Sequence, residues 1–439
     1  MLVFLFVLLV VLTYTVYKVF GDDLLTPTVW FLIGWDFSVL FALTKLPEWG
    51  DISGKSVFIV LLGAVSFILG GIVGQNFKIY KRRKISHEVI REVSNSRLIC
   101  SPVFLFISLF ILLYTVYVDY RFVLSAALYG GYSGGSNLLT FARSSMLTDV
   151  TMPYSIYIPI ALSQACAYVI THSIITDLIS SAEERKRKNY WLLKAICIFL
   201  FSIIAFLSTG RTMIMYFLLF ILADVCIQLT LVYGRSRRIN KSIIKYGLLT
   251  VSVILVLFVL VDVYFRASKY GIERNPLDQI IKYTSSSLYA FDLYLKKPTS
   301  AADTGYETLY NVYSILRRLG FNYEKTSNTL PFANFSNVST NVYTALRRYI
   351  HDFGYVGMVI IQFLIGIIYE SAYKKIKYGN ASSFFVILYC TFIFAPVFNC
   401  IEERFIINVL SLRSLMIVAF IYSILHFVNR FSFTNKMKI

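Results

Sequence analysis

The sequence predicts an all-α fold: a polytopic integral membrane protein with about eleven transmembrane helices and one large external loop. Apolar segments of about 20 residues recur along the chain, and each matches the ~30 Å hydrocarbon core of a bilayer at ~1.5 Å rise per residue. Hydrophobic residues make up 57% of the 439 residues, more than a soluble fold of this length buries. The bilayer is therefore the expected surrounding of most side chains.

The predicted spans lie near residues 1–20, 25–44, 56–74, 98–118, 153–178, 191–208, 211–233, 243–265, 354–372, 382–400 and 406–428. The apolar run from Trp191 to Tyr233 is too long for one crossing, so we expect it to turn back at Ser208, Thr209 and Gly210. The first segment has no basic region before it and no small-residue cleavage site, so we expect a retained helix. The chain then divides into eight spans (1–265), a partly helical external loop (266–353), and three spans with a tail (354–439).

Clusters of Lys and Arg fall in alternate connections, near residues 78–84, 185–188, 235–241, 374–377 and 430–438. Basic residues are retained on the cytoplasmic side of membrane proteins. We therefore expect an external N-terminus, a cytoplasmic C-terminus and an external loop. The net charge of +18 is explained by this topology, so lipids are expected partners and nucleic acid is not.

The large loop is predicted to hold two helices. An amphipathic helix from Pro276 to Leu295 is expected to lie on the membrane surface, because its apolar residues recur at helical spacing. A second helical stretch runs from Tyr306 to Leu319. A polar segment then leads to the re-entry of the chain into the membrane at Gly354.

Several arginines lie where the chain enters or leaves the membrane: Arg211, Arg266, Arg347, Arg348 and Arg404. Guanidinium groups suit bidentate binding of phosphate, and a lipid-linked diphosphate presents its charge at this depth. Snorkelling to lipid head groups is the alternative for any one of them.

Asp36, Asp224 and Arg413 lie within predicted spans, and they are expected to face the bundle interior. Arg413 either forms the floor of the same anionic site or pairs with one of the two aspartates.

Four side chains at the predicted external face could deprotonate a sugar hydroxyl: His351, Asp352, Glu402 and Glu403. For each of them alone, an exposed loop charge is the alternative. No DxD pair occurs in an external connection, and no HExxH, P-loop or Cys/His ligand spacing occurs in the sequence. We therefore expect neither a metal nor a cofactor.

Short motifs point to a family. The segments Phe206 to Thr212 (FLSTGRT), Asn341 to Thr344 (NVYT) and Asp352 to Gly354 (DFG), with Gly357, resemble signatures of bacterial oligosaccharide repeat-unit polymerases, the Wzy-type O-antigen and capsule polymerases. The late, large external loop is similar too, and the resemblance implies that this loop is periplasmic and that the protein lies in the bacterial inner membrane. The resemblance implies transfer of a glycan from undecaprenyl diphosphate to another lipid-linked repeat unit, with a chain-length regulator and a flippase as further partners.

The resemblance also implies roles for residues. The external arginines of the family fall on Arg211 and on Arg347 or Arg348, which cannot be distinguished. With Arg266, they would bind the donor diphosphate and stabilise its developing charge. The predicted catalytic residues are Arg211, His351, Asp352 and Glu403, and the predicted substrate-binding residues are Arg266, Asn341, Tyr343, Arg347, Arg348, Arg404 and Arg413.

Other functions fit the same sequence. A flippase or secondary transporter of lipid-linked oligosaccharides would use Asp36, Asp224 and Arg413 as a coupling path, although such proteins gain little from a large external loop. An O-antigen ligase would share the chemistry and differ in its acceptor. A non-enzymatic chain-length or export component is a further alternative.

Overall fold

The computed structural model describes residues 1–76, 101–135, 138–148, 150–179, 190–208, 212–233, 245, 276–299, 305–323, 329–378 and 381–436. Several earlier predictions fall outside this part of the chain. They are the eighth span at 243–265, apart from Lys245, the turn at Thr209 and Gly210, the basic clusters at 78–84, 185–188 and 235–241, and the proposed phosphate-binding residues Arg211 and Arg266.

Helices dominate the described residues, and the only strands among them form a short hairpin. The helices are α1 (Leu2–Val19), α2 (Pro27–Thr44), α3 (Leu46–Trp49), α4 (Gly54–Asn76), α5 (Pro102–Tyr129), α6 (Leu138–Thr148), α7 (Tyr154–Ile179), α8 (Trp191–Leu207), α9 (Thr212–Tyr233), α10 (Pro276–Lys296), α11 (Tyr310–Arg318), α12 (Ala345–Lys377), α13 (Ser383–Phe392), α14 (Phe394–Val397) and α15 (Leu412–Lys436). A 3-10 turn spans Phe398–Cys400, and a π-helical turn spans Phe405–Val409. Strands β1 (Ala333–Phe335) and β2 (Val338–Thr340) pair antiparallel, in a segment for which the sequence predicted no regular structure.

Eight helical segments of the described chain are long and apolar enough to cross a membrane. They are Leu2–Val19, Pro27–Thr44, Gly54–Asn76, Pro102–Tyr129, Tyr154–Ile179, Thr212–Val232, Ala345–Lys377 and Ser383–Cys400. Two shorter apolar helices, Trp191–Leu207 and Leu412–Val428, match the sixth and eleventh predicted spans. The prediction of a helical, polytopic membrane protein is confirmed, whereas the count of eleven spans and their orientation stay predictions.

The chain forms two compact units that interleave in sequence. The first unit comprises Met1–Arg82, Leu277–Ile376 and Phe392–Leu412. The second unit comprises Arg83–Pro276, Lys377–Thr391 and Arg413–Ile439. The two units are defined by how residues pack together, whereas the boundaries predicted near residues 265 and 353 separate the membrane spans from the loop.

In the first unit, glycines let two long helices approach closely. A Cβ atom on Gly70 of α4 would overlap the backbone carbonyl of Phe363 in α12, and one on Gly366 would overlap that of Phe67. Small residues at such crossings are typical of helices that pack inside a bilayer, where van der Waals contact drives association. Glu370 adds polar contacts, because its carboxylate accepts hydrogen bonds from Thr28 and Gln75.

Helix α10 confirms the first predicted loop helix but not its expected position on the membrane surface. Its apolar residues Leu288, Phe291 and Leu295 are buried by protein in the first unit. The carboxylate of Asp292 accepts hydrogen bonds from the Ser53 backbone nitrogen at 2.8 Å and the Ser56 hydroxyl at 2.7 Å. These hydrogen bonds attach α10 to the start of α4, and neighbouring parts of the first unit cover its apolar face.

The second unit is organised around α5. This helix packs against α6, α7 and α8, and α9 packs against α7 and α8. Small apolar residues at the end of α5 form a buried cluster with α6 and the last residue of α8: Val123, Ala126, Ala127, Leu139, Ala142 and Leu207.

Candidate active site

A break in α12 defines the place of the candidate site. Gly354 has φ 70° and ψ −175°, a conformation that is essentially restricted to glycine because it lacks a Cβ atom. The residues before it, 345–353, form a separate helical segment that ends where the sequence predicted re-entry into the membrane. Arg347, Arg348, His351 and Asp352 all lie on this segment, in the first unit.

The carboxylate of Asp352 holds the loop that precedes α11. It accepts hydrogen bonds from the backbone nitrogens of Glu307, at 3.1 Å, and Thr308, at 2.6 Å. These two contacts bring Glu307 next to the start of α12. Asp352 therefore positions a loop residue that lies far from it in sequence.

His351 connects the two acidic side chains of this site. Its Nδ1 atom lies 3.2 Å from Oδ1 of Asp352 and 3.7 Å from Oε1 of Glu307. A proton on Nδ1 satisfies these carboxylates and leaves Nε2 with a free lone pair. Nε2 has no partner among the described residues, and the imidazole is 11% exposed. A histidine oriented by a carboxylate in this way can act as a general base.

Arg347 contacts the rings of two tyrosines. Its guanidinium carbon is 5.1 Å from the ring centroid of Tyr294 and 4.9 Å from that of Tyr343. The same guanidinium forms an ion pair with Glu307. Burial raises the pKa of Tyr294 to about 12 and also raises the pKa of Tyr343, so both phenols stay neutral. Cation–π contacts and the ion pair together fix the position of Arg347.

The two neighbouring arginines are interior residues. Arg347 is 3% exposed and Arg348 is 1% exposed, so neither snorkels to lipid head groups. Nη1 of Arg348 donates to the backbone oxygen of Glu307 at 3.2 Å, and the charges of Glu402 and Glu403 also act on it. Buried charges of this kind require partners, which the acidic residues supply. A phosphate group would have to compete with these carboxylates.

Glu403 is buried and has three hydrogen-bond donors around it. Its carboxylate accepts from the backbone nitrogens of Ile406, at 2.7 Å, and Ile407, at 2.9 Å, and from the Tyr349 hydroxyl at 2.9 Å. Burial raises the pKa of Glu403 even though these donors oppose the shift. The contacts hold the π-helical turn, which is a positioning role. Among the predicted bases, the geometry favours His351 over Glu403.

The remaining predicted site residues have different surroundings. Arg404 forms an ion pair with Glu402 and stays partly exposed. Tyr343 donates its hydroxyl to the backbone oxygen of Pro331 at 3.0 Å, and Asn341 is half-buried after β2. Both belong to the first unit, as does the rest of the cluster.

The charged residues that the sequence places within spans have side-chain partners that it did not predict. In the second unit, Asp224 lies 2.9 Å from Nδ1 of His172, and Arg413 donates to Gln164 at 3.1 Å. The alternative in which Arg413 pairs with Asp224 is therefore wrong, whereas its role in the anionic site stays a prediction. In the first unit, Asp36 accepts from the Thr13 hydroxyl at 2.7 Å.

Sequence reasoning missed Glu307 and Tyr294. Both lie on loop elements distant from α12 in sequence, and no local spacing relates them to Arg347. A single acid at the start of the helical stretch predicted from Tyr306 was the available signal for Glu307, and it was weak. In the part of the chain that the structure describes, no group of three or more His, Cys, Asp or Glu side chains is placed to hold a metal ion.

Fold and site together define a polytopic helical membrane protein with a buried charged cluster just before the glycine break of a long apolar helix. The chain matches no family model, no curated protein and no solved structure.

Proposed function

We propose that this protein is an oligosaccharide repeat-unit polymerase. It joins undecaprenyl-diphosphate-linked oligosaccharides into O-antigen or capsular polysaccharide at the outer face of the bacterial inner membrane. The observation that carries the proposal is the His351–Asp352 pair beside Glu307 and Arg347, where a long loop joins an apolar helix. The motif resemblance around Asn341 and Asp352 supports it independently of these contacts.

The proposed reaction is a metal-independent glycosyl transfer. Nε2 of His351 accepts the proton of an acceptor hydroxyl, and the hydroxyl oxygen forms a bond to the anomeric carbon of the donor. The bond between that carbon and the diphosphate oxygen breaks, and lipid diphosphate leaves with the electron pair. Asp352 stabilises the imidazolium that forms.

Positive charge is needed where the diphosphate leaves. We assign this role to Arg404, whose guanidinium stays partly exposed beside Glu402. The phosphate-binding roles of Arg211 and Arg266 stay predictions from the sequence. The charges of Arg347 and Arg348 are balanced by buried acidic residues. We therefore assign these two arginines a role in holding the shape of the site.

A gel of surface polysaccharide tests the proposal. Deletion of the gene should leave a single repeat unit where the wild type gives a ladder of lengths. Complementation with His351→Gln should fail to restore the ladder while the protein reaches normal levels. The control is His426→Gln, because His426 is an exposed histidine in α15. A full ladder from His351→Gln would disprove its role as the base.

A transporter of lipid-linked oligosaccharide is the second candidate. His172 and Asp224 are 1% and 0% exposed within helices long enough to span a membrane, and buried ionisable pairs there often mark proton paths. The same gel distinguishes the two functions. Deletion of a flippase, or of a ligase, leaves no surface product instead of one repeat unit.

A further inference from the structure

An unpartnered carboxylate is buried in the second unit. Asp119 of α5 is 0% exposed, and neither of its carboxylate oxygens has a hydrogen-bond partner among the described residues. Burying such a group without hydrogen bonds is strongly unfavourable, so buried polar groups are normally satisfied. A charged residue in a membrane helix that lacks this compensation is a functional candidate.

Thr115, one turn before Asp119 on α5, accepts a hydrogen bond from Ser163 of α7 at 2.9 Å, so Asp119 lies on the side of α5 that packs against α7. The charge of Arg413 also acts on Asp119. The Nη2 atom of Arg413 donates to Oε1 of Gln164 at 3.1 Å, and its guanidinium carbon lies 5.7 Å from the ring centroid of Tyr157. Gln164 is itself held, because its amide nitrogen donates to the Tyr168 hydroxyl at 2.8 Å. The guanidinium is thus fixed from one side without a hydrogen bond to Asp119.

We infer that Asp119, Arg413, Gln164 and Tyr157 form a binding subsite for a neutral sugar residue. A carboxylate accepts hydrogen bonds from two hydroxyl groups, and a guanidinium donates to hydroxyl oxygens. An aromatic ring offers an apolar surface for the C–H face of a sugar. A diphosphate fits less well, because the Asp119 carboxylate would repel it.

The inference rests on the proposed function for the origin of the sugar, which is the repeat-unit glycan. It differs from the sequence prediction for Arg413, which placed this arginine in the diphosphate site. The sugar-binding assignment needs no contact between the two units, because all four residues belong to the second unit.

Calorimetric titration of the purified full-length protein tests the subsite. The main probe is the repeat-unit oligosaccharide, released from its lipid diphosphate by mild acid, and the second probe is inorganic pyrophosphate. We expect the wild type to bind the oligosaccharide. Asp119→Asn and Asp119→Leu should each weaken this binding roughly 10- to 100-fold, the range for lost hydrogen bonds to a charged group. Pyrophosphate affinity should be the same in all three proteins.

Thermal unfolding separates binding from folding. Because Asp119 has no hydrogen-bond partner in the described structure, both variants should keep or raise the unfolding midpoint. The matched control is Asp177→Asn in the same unit, since Asp177 accepts from Lys194 at 2.6 Å. This variant should lower the midpoint and leave oligosaccharide affinity unchanged.

Four results would overturn the subsite: no oligosaccharide binding by the wild type, unchanged affinity in both Asp119 variants, a lowered midpoint in both, or a parallel loss of pyrophosphate affinity. The gene deletion tests the proposed function separately. If gene deletion leaves no single-unit surface product, the polymerase fails, whereas the sugar subsite stands or falls on the titrations alone.

Discussion

At the scale of single residues, His351 differs from the acids around it in what its atoms contact. Asp352 and Glu403 each accept several hydrogen bonds from the protein, which occupies their oxygens. In the part of the chain that the structure describes, the polar contacts of His351 are made by Nδ1, 3.2 Å from Asp352, and the imidazole remains partly exposed. A base needs a free lone pair within reach of the acceptor hydroxyl, so this imidazole is the best candidate in the cluster.

The ion pair between Glu307 and Arg347 should be the most sensitive single contact of the site. Glu307→Gln removes a nearly buried partner and leaves the guanidinium charge uncompensated, which should lower the free energy of unfolding by about 3–5 kcal/mol. Chemical denaturation in detergent measures this loss. The double variant with Arg347→Met removes both charges and should be more stable than Glu307→Gln alone. A double variant less stable than the single one would show that the pair is not coupled.

At the scale of helices, α10 depends on Asp292 for its attachment to α4. Burial alone raises the pKa of this carboxyl, but the hydrogen bonds from Lys296, Ser53 and Ser56 together hold it below its ordinary value of 3.8. Its contribution to stability is therefore present above that value and lost as the pH falls through the folded-state pKa. Asp292→Asn should lower the free energy of unfolding by about 1–3 kcal/mol at neutral pH.

Unfolding of both proteins at several pH values checks the Asp292 prediction. The difference between wild type and Asp292→Asn should be full at neutral pH and should shrink on acidification below 3.8. Asp278→Asn is the control on the same helix, because Asp278 is 49% exposed and its one ion pair with the described residues is to Lys45 at 2.9 Å. An effect of Asp278→Asn above about 1 kcal/mol would contradict the assignment.

Because α4 and α12 cross closely, one added methyl group at the crossing should strongly lower the stability of the protein. Gly366→Ala places a Cβ atom against the backbone carbonyl of Phe67, which cannot move away as a side chain would, so the helices must separate. We expect a lower unfolding midpoint and less folded protein by fluorescence-detected size exclusion. Gly54→Ala, whose Cβ would meet only the end of the Met1 side chain at 3.4 Å, should be neutral or slightly stabilising. Equal behaviour of the two variants would refute close helix packing.

At the scale of the whole molecule, hydropathy predicted the helical frame because span length is a local property of the chain. The sequence also placed Arg347, His351 and Asp352 just before the re-entry at Gly354, but it did not predict the short helical segment that carries them. Their partners were not, because Glu307 and Tyr294 reach them through tertiary folding of the loop. The burial of α10 could not be predicted either, since an amphipathic pattern is the same whether membrane or protein covers its apolar face.

The predicted orientation can be tested with single cysteines at exposed positions of the described chain. Lys297→Cys lies at the end of α10 and should react with a membrane-impermeant maleimide in intact cells, because the loop is predicted to be external. Asn76→Cys and Ser382→Cys adjoin basic connections and should react only after permeabilisation. The native cysteines in the described residues are buried, so the unmodified protein provides the background. Labelling of Asn76→Cys in intact cells would reverse the topology, and with it the outer-face location of the proposed reaction.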